Sequence, residues 1–237
     1  MANIKEIIPF TYEKEGGLSR ATTDTASRSP SPYTYKGVKG WHTNKGITYA
    51  VFKDGANKYG YVDNADNFLT MPEDIWLKIA KQGYWDKMNL DAMKSQAIAN
   101  FFFSWMWGSG YGWRNRFKKY LETKNIEWNI SNLKQIPSII NQLVEKEGEK
   151  KIFDELIEQK RQFIISLNQP ANTKGWLNRL EDLKNLSYTY IGKTAKVITT
   201  SIDEVKKNPF KVALLTALLV VSGYIIVTQT KIIKLKR

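Results

Sequence analysis

The chain of 237 residues has no cysteine and one histidine, His42. Without thiols there is neither a disulfide framework nor thiolate chemistry. A single imidazole supplies neither a histidine-based metal centre nor a Ser/His/Asp triad. No Walker loop, dinucleotide fingerprint or cluster with metal-ligand spacing occurs, so no cofactor and no metal is expected. Acid is scarce too: 36 Lys/Arg stand against 23 Asp/Glu, a formal charge of +13. Lys193–Arg237 holds nine basic residues and two acids, and the rest of the chain is also basic. Scattered positive charge suits an anionic lipid surface or an acidic polymer. Nucleic acid is not an expected partner, because no recognisable nucleic-acid module is present. Near Met1, Lys5 and Glu6 interrupt the few apolar residues, leaving no apolar core of a signal peptide.

What the chain does have is one long apolar run. Val212–Thr228 carries no charge over seventeen residues, and Phe210 with the stem of Lys211 extends it. Basic residues border both sides: Lys206, Lys207 and Lys211 before, Lys231, Lys234, Lys236 and Arg237 after. A buried core helix would read the same way, but an isolated apolar segment with basic borders predicts a transmembrane helix over 210–230. The slight basic excess after the span predicts a cytoplasmic tail, with the larger part of the chain on the far side. With no signal peptide, export would rest on this span or on a separate pore.

Elsewhere the periodicity is mainly helical. Pro72–Lys81, Leu90–Trp107, Trp113–Leu121, Ile136–Glu145, Gly148–Leu167 and Gly175–Asn185 repeat apolar residues at helical spacing. Only Thr34–Phe52 and a short piece at Lys58–Val62 read as strands. Eight tryptophans invite sugar stacking, yet most belong in a core; Trp41 is the first choice for a groove.

The motif that carries chemistry is Glu15-Gly16-Gly17. Ile4–Lys14 reads as a short helix, with Pro9 starting or kinking it and Gly16 and Gly17 turning it off in the left-handed region. Glu15 then sits at the negative end of a helix dipole, which disfavours an ionised carboxyl and suits a proton donor. Asp24 follows as a second carboxyl, and Thr43-Asn44-Lys45-Gly46-Ile47-Thr48 lies behind, with Thr43 able to orient a water. A pair of carboxyls is what glycoside hydrolysis requires. On residue chemistry alone, Glu15 capping a turn, Asp24 on a solvated loop and an ordinary strand are the better account of the pattern.

Taken with Tyr84-Trp85-Asp86, Trp107-Gly108-Ser109-Gly110 and Lys174-Gly175-Trp176-Leu177-Asn178-Arg179, these elements resemble glycoside hydrolase family 108. That family comprises N-acetylmuramidase-like proteins with a paired C-terminal peptidoglycan-binding region. The resemblance runs from about Ile4 to about Leu183. It implies a mainly α fold: a lysozyme-like α+β catalytic lobe with a small β hairpin over 1–89 and a helical peptidoglycan-binding lobe over 90–185. A basic linker over 186–209, the membrane helix and a basic tail over 231–237 complete the expected organisation.

The resemblance makes Glu15 the catalytic acid; the Glu, eight residues, Asp spacing is also similar to the phage-type lysozymes, which makes Asp24 the base and Thr43 the water-holder. Trp41, His42 and Asn44 are candidate substrate contacts. The long insertion between Asp24 and Thr43 departs from the related pattern and puts Asp24 in doubt, with Asp54, Asp63 and Asp66 as fallback carboxyls. Its Ser/Pro half reads as a loop and its second half as a hairpin, either a lid or an idle excursion. The expected activity is cleavage of β-1,4 bonds in peptidoglycan glycan strands by a membrane-anchored muramidase. A non-catalytic wall-binding or secretion-assisting protein on the same fold is the alternative.

Overall fold

The computed structural model describes residues 1–19, 31–40 and 43–193. Met1–Ile191 form one compact unit, dominated by nine helices among the described residues: α1 (Ile8–Lys14), α2 (Tyr49–Tyr59), α3 (Ala65–Thr70), α4 (Glu73–Ala80), α5 (Gln96–Ser109), α6 (Arg114–Thr123), α7 (Ile136–Glu147), α8 (Glu149–Ser166) and α9 (Pro170–Tyr188). Two separate two-stranded antiparallel ribbons accompany them, β1 (Thr34–Tyr35) with β2 (Val38–Lys39) and β3 (Thr43–Asn44) with β4 (Ile47–Thr48). The mainly α class stands. Among the described residues no helix is long and apolar enough to cross a membrane; the expected 210–230 span lies outside them, as do Asp24, Trp41 and His42.

Both ribbons turn through a Lys-Gly pair with positive φ at both residues, 47° and 75° at Lys36-Gly37 and 47° and 77° at Lys45-Gly46. Such two-residue turns match the twist of the flanking strands. The expected strand to Phe52 ends at Thr48, which is the N-cap of α2: its hydroxyl accepts from the Val51 backbone N–H at 3.2 Å. Tyr49–Tyr59 is therefore helical, and Lys58–Val62 is a helix end and loop, not a strand.

One apolar core runs through the whole unit. Phe52, Phe68, Trp76 and Trp85 are fully buried on one side of the sequence boundary at residue 90, Phe101, Phe102, Phe103, Trp113 and Phe153 on the other, and all belong to the same cluster. α5 is its axis, apolar on nearly every face as befits a helix surrounded by others. Ser95 caps it, accepting from the Ile98 N–H at 3.1 Å, so the helix expected from Leu90 begins later; Leu90–Ala92 is a 3-10 turn. At its other end α5 runs past Trp107, its expected end, through Gly108 to Ser109. The final helix begins at Pro170, five residues before its expected start, because proline needs no N–H in a first turn.

Candidate active site

Glu15 is set by how α1 begins and ends. Pro9 lies in the first turn, after a 3-10 turn at Ile4–Glu6, and the helix runs to Lys14. Glu15 keeps its backbone bond to the Thr11 carbonyl at 3.1 Å but leaves the helix extended, at φ −89° and ψ 127°. Gly16 and Gly17 are not in the left-handed region; the exit is made by Glu15 itself. The chain then runs beside β3: the Ser19 N–H donates to the Thr43 carbonyl at 2.9 Å and the Lys45 N–H to the Gly17 carbonyl at 3.4 Å. This pairing delivers the Lys45-Gly46 turn to Glu15.

The turn is clasped on all sides. The Lys45 ammonium donates to the Tyr12 hydroxyl at 2.7 Å and the Met71 carbonyl at 3.0 Å, and the Trp76 indole N–H donates to the Lys45 carbonyl at 2.9 Å. Gly46 lies against the Glu15 side chain so closely that a Cβ there would come within 2.7 Å of the carboxyl carbon.

Two further donors fix the carboxyl. The Trp107 indole N–H, from the last turn of α5, donates to Glu15 Oε1 at 3.0 Å. A guanidinium nitrogen of Arg179, from α9, donates to the same oxygen at 2.9 Å. A second nitrogen of Arg179 donates to the Lys14 carbonyl, one of the acceptors a helix leaves free at its C-terminus. One turn on, Asp182 pairs with the Lys14 ammonium at 2.9 Å. The carboxyl is 12% exposed: it lies at the surface of the core with Oε1 fixed, and Oε2 accepts no hydrogen bond from the described residues.

Aromatic rings form the wall behind it. Trp107 packs on Tyr84 at 4.8 Å between centroids, on Trp76 at 5.1 Å and on Phe103 at 5.8 Å. Tyr84 is desolvated and faces Tyr59, Tyr111 and Glu15, which together push its hydroxyl up to about 12.

Of the expected site residues, Glu15 and the β3–β4 turn come together. Thr43 is the strand residue paired with Ser19, placed beside the exit from Glu15. Asn44 turns inward instead of toward a substrate: it is 2% exposed, and its amide donates to the Phe68 and Leu69 carbonyls at 2.8 and 2.9 Å. The fallback carboxyls are occupied elsewhere or stand on the surface. Asp63 accepts from the Tyr33 and Tyr49 hydroxyls at 2.5 and 3.2 Å, Asp54 pairs with Lys58 at 2.7 Å, and Asp66 lies in the first turn of α3. Among the described residues no group of three or more His, Cys, Asp or Glu side chains could hold a metal ion.

Arg179 is the participant that residue chemistry alone did not single out. Its signal was present in the Lys174–Arg179 motif, but nothing in the sequence tied that motif to Glu15. Beside the carboxyl, at the helix end where the sequence places it, there stands a guanidinium as well.

A carboxyl with one oxygen held and the other without a hydrogen bond, backed by indoles and a tyrosine, can serve chemically as an acid/base group, and such rings can stack on sugars. Residues 8–110 match the family model of glycosyl hydrolase 108. The class of protein this defines is a glycoside hydrolase. The match takes in Glu15, Gly46, Tyr84 and Trp107 and stops at residue 110, before Arg179, so most of the region expected to bind peptidoglycan, 90–185, lies beyond it. No curated protein and no solved structure matches the chain.

Proposed function

We propose that the protein is a muramidase that hydrolyses the β-1,4 bond between N-acetylmuramic acid and N-acetylglucosamine in peptidoglycan. The observation that carries this reading is the Glu15 carboxyl, held at Oε1 by Trp107 and Arg179 with Oε2 free beside Gly46. Protonated at Oε2, Glu15 gives its proton to the glycosidic oxygen as the bond to the anomeric carbon breaks. A water then adds its oxygen to that carbon and loses a proton to a second carboxylate. Asp24, in the segment following Glu15, is our assignment for that base, with Thr43 holding the water; this pairing gives inversion.

Residues 90–185 contribute Trp107 and Arg179 to the catalytic group and would also grip the glycan strand. The apolar run over 210–230 would anchor the enzyme with its hydrolase unit on the peptidoglycan side of the membrane. The test is release of reducing ends from purified peptidoglycan by the full chain and by its Glu15→Gln variant. Activity in the first, with muramic acid at the new reducing end, and its loss in a folded second variant are expected. Equal activity in both would remove Glu15 from the reaction, and inactivity of both with retained wall binding would make the protein a binder.

A further inference from the structure

Lysine is an unfavourable residue for the first position of the turn beside Glu15. Lys45 has φ 47°, in the left-handed region, where a side chain crowds its own backbone and asparagine or glycine is usual. Two-residue hairpin turns favour Asn-Gly for that reason. Met71, at the end of α3, adopts the same region at φ 46°. The other non-glycine residues with positive φ among the described residues are three asparagines and Lys36.

The Lys45 and Met71 strains are bonded to each other, for the Lys45 ammonium donates to the Met71 carbonyl at 3.0 Å. It donates also to the Tyr12 hydroxyl at 2.7 Å and lies 5.0 Å from the centre of that ring. Tyr12 stands edge-on to Trp76 at 5.2 Å, and the Trp76 indole N–H donates to the Lys45 carbonyl at 2.9 Å. Backbone and side chain of Lys45 are thus tied into one closed circuit through α1 and α4. That circuit meets the acid at two points. Gly46, the next residue, packs on the Glu15 carboxyl, and Trp76 packs at 5.1 Å on Trp107, which donates to Glu15 Oε1.

The other ribbon supplies an internal control. Lys36-Gly37 makes the same kind of turn, with φ of 47° and 75°. Lys36 is exposed, and its ammonium lies over the ring of its own neighbour Tyr35 at 5.4 Å, without reaching another element among the described residues. A Lys-Gly hairpin therefore forms without such ties. What the Lys45 bonds add is the place of the turn, not its existence. Strain that the local fold does not require, held by bonds that converge on a reacting group, points to function.

We propose that Lys45 is a positioning residue for the acid. Its ammonium fixes the Lys45-Gly46 turn against Glu15, so that the carboxyl keeps the orientation in which Oε1 is held and Oε2 is free. Lys45 acts through Gly46 and not on the glycan. As a statement about catalysis this rests on the muramidase reading; as a statement about where the carboxyl lies it does not.

The test compares the full chain with its Lys45→Asn, Lys36→Asn and Tyr12→Phe variants. Asparagine suits a positive φ better than lysine, so Lys45→Asn keeps the turn and removes only its ties. On soluble glycan fragments its kcat should fall about tenfold with KM unchanged, the signature of a misplaced reacting group. Lys36→Asn makes the same replacement in the other turn and should leave kcat as it was. Tyr12→Phe keeps the ring on Trp76 and removes one acceptor. It should cause a smaller fall, and no further one in a chain already carrying Lys45→Asn.

A second readout follows the carboxyl itself. The Trp107 indole N–H, assigned with Trp107→Phe and followed by heteronuclear NMR, should shift and exchange faster with water in Lys45→Asn but not in Lys36→Asn. A purely structural role for Lys45 would lower the thermal midpoint and leave that signal in place. An unmoved Trp107 signal, or an unchanged kcat, in folded Lys45→Asn would overturn the assignment. Should that variant fail to fold, the same two measurements on Tyr12→Phe decide it. A wild type that releases no reducing ends, yet whose Trp107 signal moves in Lys45→Asn, would sink the muramidase reading and leave Lys45 as the residue that places Glu15.

Discussion

Gly46 leaves vacant the volume that the Glu15 carboxyl occupies. A side chain at residue 46 would meet the Glu15 carboxyl carbon at 2.7 Å, on a backbone at φ 77° that suits glycine. The Glu15 carboxyl and the hairpin turn are therefore one packing unit, although they come from different parts of the chain. Gly46→Ala must displace the carboxyl from Trp107 and Arg179. Glycan hydrolysis should fall by about 10²-fold, the cost of moving a reacting group by roughly an ångström. Activity measured beside a melting curve checks this; unchanged activity would mean that Glu15 works from another position.

Arg179 places a fork across the Lys14 carbonyl and the Glu15 carboxylate. Arg179→Ala should lower kcat by about 10–10²-fold with little change in KM, because it loosens the acid without touching the sugar. Arg179→Lys should recover only part of the loss, since an ammonium keeps the charge and loses the fork. Full recovery by lysine would reduce the contact to charge alone. Steady-state kinetics on soluble glycan fragments separate the two outcomes.

Lys160, on α8, reaches the Ser104 hydroxyl on α5 at 3.0 Å, lies over the Phe101 ring and faces Arg179 on α9. Burial above all, and then the Arg179 charge, push its ammonium down to about 7 from the ordinary 10.5. Between those two values the unfolded chain holds a proton that the folded chain has released, so this group makes stability rise with pH across that window. Below it the penalty for charging Lys160 is fully present. Lys160→Met should flatten the rise and lift the thermal midpoint at pH 7 by about 3 °C or more, what ~1 kcal/mol yields in a domain of this size. Calorimetry at several pH values reads both effects; a midpoint lowered at pH 7 would contradict the assignment.

Much of this architecture was legible in the sequence, because helices declare themselves by spacing. α4, α7 and α8 fall where their apolar repeats and their Pro or Gly borders place them. The strand expected through Phe52 failed for a local reason: β-branched and aromatic residues continue past Thr48, and only the cap on Val51 reveals that the period has changed. Glycines misled at both ends of the site. Gly16 and Gly17 were taken for the turn that ends α1, whereas it is Gly46, in another segment, whose missing side chain the acid needs. Asn44 sits in a motif that resembles a substrate loop, yet its amide serves two backbone carbonyls, a demand set by tertiary packing. The Arg179 contact joins residues 164 positions apart, and no local pattern carries such information.

That separation has a consequence for when the Glu15 site is complete. The Glu15 carboxyl has its full set of donors only after α9 has been synthesised and has docked on α1, because Arg179 follows it by 164 residues. A nascent or clipped chain that ends ahead of Arg179 carries Glu15, Gly46 and Trp107 and still lacks the cation that holds the carboxyl.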